Sequence, residues 1–99
     1  MAEPERTPDG RYVVVNGRRW RATDPAIPAE PAAELRKLLM RARRDVGVAL
    51  REQDAEAERE ARARVRDAKV ALGERGTPWW EQTPDQRRNR WQRGLAALS

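Results

Sequence analysis

The sequence predicts a small α+β domain, mostly α: an N-terminal β-hairpin packed on an antiparallel helix pair, closed by a short C-terminal helix. Three observations carry this reading. Asn16-Gly17 lies between two β-forming runs. Apolar residues then recur at helical spacing in two stripes, the first of large side chains and the second mostly alanine. Further on, Thr83-Pro84-Asp85-Gln86 has the composition of a helix start.

Residues 1–10, with two Pro and one Gly, read as a mobile tail. The hairpin follows over residues 11–22. An Asn-Gly pair supplies the positive φ that both central residues of a type I′ turn require. With a two-residue turn, Val15 faces Arg18, Val14 faces Arg19, Val13 faces Trp20 and Tyr12 faces Arg21. Val13, Val15 and Trp20 then share one face, expected to be buried on the helices. Tyr12, Val14, Arg19 and Arg21 share the other. Residues 23–31 contain Pro25, Pro28 and Pro31 and read as an extended connector, pinned to the core by Ile27.

A first helix is predicted over residues 32–52, with Pro31 in its first turn. Leu35, Leu38, Leu39, Ala42, Val46, Ala49 and Leu50 line one of its faces. A second is predicted over 54–74, carrying Ala57, Ala61, Val65, Ala68 and Leu72. One continuous helix is the competing reading, since no Gly or Pro interrupts 51–56. A rod of that length would extend roughly 65 Å and need a partner along it. The break is favoured, because Asp54 can act as an N-cap and the stretch around it has little to bury. Glu58–Arg62 and Glu60–Arg64 are acid-before-base pairs at i,i+4 on the second helix. Gly73, Gly76 and Pro78 end it. The third helix, 84–98, opens on a Thr83/Gln86 capping box with Pro84 at its first position, and Trp91, Leu95 and Leu98 form its stripe.

Two stretches, Asn16-Gly17-Arg18-Arg19-Trp20-Arg21-Ala22-Thr23-Asp24-Pro25 and Asp67-Ala68-Lys69-Val70-Ala71-Leu72-Gly73-Glu74-Arg75-Gly76-Thr77-Pro78-Trp79-Trp80-Glu81, resemble a group of short bacterial proteins of uncharacterised function. Some of its members are labelled as Tol-type biopolymer transporters. The resemblance spans roughly residues 11–98 and implies a shared fold; it brings no catalytic residues with it.

Composition bounds the function. The chain of 99 residues has a formal net charge of +5, and the surplus is local. Residues 31–52 hold six basic and three acidic groups, and residues 77–99 hold four and two. A protein partner of acidic character fits that balance, with nucleic acid as the alternative. No apolar run approaches the roughly 20 residues of a membrane span, and the N-terminus lacks the apolar segment of a signal peptide, so a cytoplasmic protein with no membrane partner is expected. Despite a mean hydropathy of −1.00, the apolar residues are periodic rather than scattered, which argues for a folded chain.

His and Cys are absent and Ser99 is the sole serine. The usual general base, the thiol nucleophile and the serine triad are therefore unavailable, and no enzyme is expected. No cofactor is called for, since Gly73 and Gly76 follow a helix rather than precede one. Glu56, Glu60 and Asp67 are interleaved with arginine and read as a salt-bridged helix face, not a metal site.

Three constellations are candidates for binding. Arg36, Arg43 and Arg44 lie seven and eight residues apart and could form a basic ridge on the first helix, although a solvated face opposite the leucines is the weightier explanation. One of Trp79 and Trp80 should cap the core; Trp80 is carried as the exposed candidate for stacking. Tyr12, Arg19 and Arg21 share the outer hairpin face, where a cation–π contact between Arg21 and Tyr12 is a sufficient structural reason for them. The expected function is that of a small non-catalytic protein-interaction or adaptor module, the alternative being a weak nucleic-acid binder using the basic first and third helices.

Overall fold

The computed structural model describes residues 5–99. Three antiparallel strands, β1 (Glu5–Arg6), β2 (Tyr12–Val15) and β3 (Arg18–Arg21), form a sheet in that order. Helices α1 (Ala29–Arg51), α2 (Ala55–Ala71) and α3 (Pro84–Leu98) follow, with one 3-10 turn at Trp79–Glu81. The fold is α+β and mostly α.

Local chemistry sets most of these boundaries. Asn16 (φ 52°) and Gly17 (φ 76°) turn the hairpin, and the strand partners are Tyr12–Arg21, Val13–Trp20, Val14–Arg19 and Val15–Arg18, the expected register. Between α1 and α2, Gln53 takes φ 56°, and the carboxylate of Asp54 accepts the Ala57 backbone N–H at 3.0 Å. A left-handed residue followed by an N-cap both ends one helix and starts the next, so the chain turns back rather than running on. The Cα radius of gyration of 14.4 Å sits near the value of about 13 Å for a compact chain of this size, and the longest extent, 42 Å, is well short of a rod. At α3 both halves of the capping box are made: the Thr83 hydroxyl accepts the Gln86 N–H, and the Gln86 side chain accepts the Thr83 N–H.

The core lies between the faces of α1 and α2, where Leu35, Leu39, Ala42 and Ala49 meet Ala61, Ala68, Ala71 and Leu72. Alanine on one side lets the axes approach while leucine on the other fills the seam. Ile27 joins this core from the connector, as expected. α3 crosses α2 at Gly94, where a Cβ would lie 2.4 Å from the Cβ of Ala71, so only glycine permits the approach. Trp91, Leu95 and Leu98 then pack on the core.

The structure departs from the sequence reading at several places. Residues 1–10 are not all tail: Glu5–Arg6 pairs with Val13 and Val14 as a third strand, a hydrogen-bonded edge that composition could not reveal. The rest of the predicted tail before it, residues 1–4, lies outside the described residues. α1 begins earlier than expected, placing Pro31 third in the helix, and α2 ends at Ala71, where Gly73 (φ 80°) closes it. Leu50, expected on the buried stripe, is 52% exposed, although its neighbour Ala49 is buried. Of the two predicted ion pairs on α2, Arg62–Glu58 forms at 2.7 Å, but Arg64 reaches across to Asp45 of α1 at 3.3 Å instead of back to Glu60.

The hairpin face expected to be buried is half open: Trp20 is 45% and Val15 40% exposed. The reason lies in how the sheet is fastened. The sheet meets the body of the protein mainly through the segment that follows α2. The Arg21 guanidinium donates to the Gly76 carbonyl at 2.7 Å, the Trp79 indole N–H donates to the Ala22 carbonyl at 3.0 Å, and the Asp24 backbone N–H donates to the Leu72 carbonyl at 2.9 Å. Tyr12, on the face expected to be free, packs on Trp80.

Candidate functional site

Pro78 leads into the 3-10 turn at Trp79–Glu81, and this tight turn splits the adjacent tryptophans. Trp79 points inward and is buried, with its N–H satisfied by Ala22. Trp80 stands at 85° to it, with ring centroids 5.1 Å apart, and is half-buried against the sheet. One indole therefore caps the core, as expected, while the other, expected to be exposed, is partly covered by Tyr12 and Arg11.

Around Trp80 the structure gathers a cluster of cations and rings. Tyr12 meets it edge-on at 5.6 Å. The Arg11 guanidinium lies 4.8 Å from the Trp80 ring and that of Arg21 5.8 Å, while Arg19 lies over Tyr12 at 4.3 Å. The Arg21–Tyr12 pairing expected from the register is thus replaced by Arg19–Tyr12, because Arg21 is drawn toward Gly76. Each contact is worth about 0.5–1 kcal/mol at a partly exposed site. None of Arg11, Arg19 and Arg21 forms an ion pair among the described residues. Asp9, nearby, is held below the ordinary carboxylate range first by the Thr7 hydroxyl and then by the Arg11 backbone N–H.

Tyr12, Arg19, Arg21 and Trp80 are thus brought together, and Arg11 joins them. Arg36, Arg43 and Arg44 are elsewhere, exposed on α1. Among them only Arg43 approaches the sheet, on its opposite face, beside Trp20 and Lys69.

The residue that sequence reasoning missed is Asp24. It sits in the connector, its side chain fully buried, and its carboxylate takes ion pairs from Arg87 and Arg90, one helical turn apart on α3. Arg87 Nε also donates to both carboxylate oxygens, at 3.1 and 3.0 Å, and the Ala26 backbone N–H donates at 2.8 Å. Burial alone would push the Asp24 carboxyl up; the hydrogen bonds from Arg87, Arg90 and Ala26 outweigh it and pull it down to about 2. Arg87 is raised in turn, chiefly by its hydrogen bond to Asp24. Arg90 further donates to the Ala71 carbonyl at 3.2 Å, tying the end of α2 into the same knot. Gly73 leaves room for it: a Cβ there would come within 3.0 Å of the Asp24 Cβ and 3.2 Å of the Trp79 ring. This is structural chemistry. The Asp24 carboxylate is fully buried and bonded on both oxygens, so the knot fastens the connector to α3 and thereby positions the sheet.

Among the described residues, no group of three or more acidic side chains is placed to hold a metal ion, and no helix is long and apolar enough to cross a membrane. Comparison with protein-family models, with curated proteins and with solved structures finds no match.

Proposed function

We propose that the protein is a non-catalytic interaction module that takes an acidic segment of a partner protein on the sheet face formed by Arg11, Arg19 and Arg21 around Tyr12 and Trp80. The observation that supports it is the placing of Arg11 and Arg19 over aromatic rings with no carboxylate of the described residues within ion-pair distance, Asp9 acting on both only from farther off. A cation–π contact uses the face of the guanidinium and not its N–H donors, whose planar fork pairs with carboxylates two bonds at a time. The ring also fixes the side chain beforehand, which lowers the ordering cost of binding. Nucleic acid is the less favoured partner, because single-strand binding relies on open aromatic faces for bases. Here Tyr12 lies under Arg19, and Trp80 is engaged by Arg11 and by the edge of Tyr12.

The test is affinity capture from the native source with the wild-type chain and with Arg11→Glu/Arg19→Glu, each before and after nuclease treatment. Both side chains are exposed, so the double variant should lose only the two cation–π contacts, about 1–2 kcal/mol, and stay folded. Wild type should retain an acidic protein that survives nuclease and that the double variant loses. The same protein retained by both would end this reading. Capture that vanishes with nuclease would transfer the surface to nucleic acid.

A further inference from the structure

The opposite face of the sheet carries a second site. A cleft of about 300 Å³ opens between the sheet and the helices. Val13 and Trp20 form its wall, Arg6 of β1 its edge, and Arg43 of α1 and Lys69 of α2 its floor. We infer that this cleft binds the phosphate of a small phosphomonoester, seated between Arg43 and Lys69 against Trp20.

The cations lining the cleft, Arg6, Arg21, Arg43 and Lys69, come from four separate elements, so their convergence is a product of the fold and not of a basic run in the sequence. Arg43 and Lys69 form no ion pair among the described residues, and neither does Arg75 nearby. The carboxylate in the cleft, Glu74, accepts the Thr23 hydroxyl at 2.7 Å. Lys69 is lowered from its ordinary value first by burial and then by the positive charges of Arg43 and Arg75, with Glu74 only partly opposing them. Such repulsion is what a dianion relieves, and a phosphomonoester carries nearly two negative charges at neutral pH. Lysine and arginine together suit phosphate, one as a point charge and the other as a fork. The volume lies at the small end of ligand pockets, the size of one small molecule rather than a track for a strand. Trp20, 45% exposed and flanked by Arg18 at 4.9 Å and Lys69 at 5.9 Å, gives the ligand an apolar side. Arg21 borders both this cleft and the surface proposed above, but its guanidinium is held by the Gly76 carbonyl. Arg11 and Arg19 belong to that surface alone and Arg43 and Lys69 to this cleft, so variants at those four residues test the two separately.

Lys69 and Lys37 are the only lysines in the chain, which makes a side-chain NMR titration a direct readout. Inorganic phosphate, adenosine monophosphate and adenosine serve as probes, each taken to about 10 mM at fixed ionic strength. Phosphate and the nucleotide should shift the Lys69 signals saturably and raise the pH at which Lys69 titrates, with Lys37 unmoved and adenosine without effect. Arg43→Gln should weaken binding at least about tenfold while leaving the melting temperature unchanged or higher, since it removes a like-charge neighbour. Lys69→Gln, followed by calorimetry, should show the same loss. A nucleotide held at least about tenfold tighter than phosphate, with the Trp20 indole signal moving, identifies a nucleotide as the source; equal affinities identify the phosphate group alone. Absence of a saturable Lys69 shift, a parallel shift of Lys37, or full affinity in Arg43→Gln would overturn the assignment. The Arg11→Glu/Arg19→Glu variant should bind phosphate as wild type does.

Discussion

Asp24→Ala removes most of the protein's stability at room temperature. The substitution strands two guanidinium groups whose side chains are only 20% (Arg87) and 8% (Arg90) exposed. Removing one partner of a buried ion pair costs about 3–5 kcal/mol, because the remaining charges keep their desolvation penalty without the attraction that offset it. A domain of this size has about 5–15 kcal/mol in total, and a thin core places this one toward the lower end. The loss also unties the connector from α3 and, through Arg90, α3 from the end of α2. Urea denaturation followed by circular dichroism checks it. A variant within about 1 kcal/mol of wild type would mean that the arginines find other partners and that the knot is not what holds the parts together.

Gly94→Leu is the second large effect, and it has a built-in control. At Gly94 a Cβ would stand 2.4 Å from the Ala71 Cβ and 3.4 Å from its Cα, and neither atom can swing aside. A leucine there forces α3 off α2 and costs about 1–3 kcal/mol even after the gain of roughly 0.8 kcal/mol in helix propensity. Gly47, also inside a helix, meets only the flexible end of Arg51 at 3.5 Å. Gly47→Ala should therefore stabilise, by up to about 1 kcal/mol. Thermal melts in which both variants move the same way would contradict the close crossing of α2 and α3.

Features written in neighbouring residues were legible in the sequence. Asn16-Gly17 fixed the hairpin register to the residue, Asp54 marked the break between α1 and α2, and Thr83 with Gln86 capped α3. In each, donor and acceptor lie within a few positions, so spacing alone specifies geometry. Features that depend on distant contacts were not. Alternation placed Val13 and Trp20 on one hairpin face and Tyr12 on the other, but which face meets the body depends on Trp80, nearly seventy residues beyond Tyr12. Asp24 stood among prolines in a connector with nothing local to bond except the Ala26 N–H. Its partners, Arg87 and Arg90, are two of 21 basic residues, and only the helical turn between them hinted at a shared target. Gly94 carries no local signal of the α2 crossing that its missing side chain permits.

The same division holds for the proposed binding surface. Tyr12, Arg19 and Arg21 were grouped by strand alternation, which is local. Joining them to Trp80, adding Arg11, and setting Arg36, Arg43 and Arg44 apart required the tertiary structure. The fold uses arginine in two ways. Arg87 and Arg90 are spent on a buried carboxylate, whereas Arg11 and Arg19 rest on aromatic rings at the surface.

That division rests on Asp24 being a charged, fully bonded residue inside the protein, and its ionisation is the most direct thing to measure. Its folded-state value, about 2, lies below the ordinary 3.8, so the native state binds a proton less readily than the unfolded chain. The stabilisation this represents, about 2 kcal/mol, is fully present above pH ~4 and is lost as the pH falls through that value toward 2. A carbon-13 NMR titration of the Asp24 side-chain carboxyl, run with a parallel fluorescence record of folding, separates the two possibilities. The expected result is a carboxyl that stays ionised well below pH 3.8, with loss of structure accompanying its protonation. A carboxyl that titrates at or above 3.8 while the protein remains folded would contradict the account, for it would show that the two arginines do not hold Asp24 as an anion.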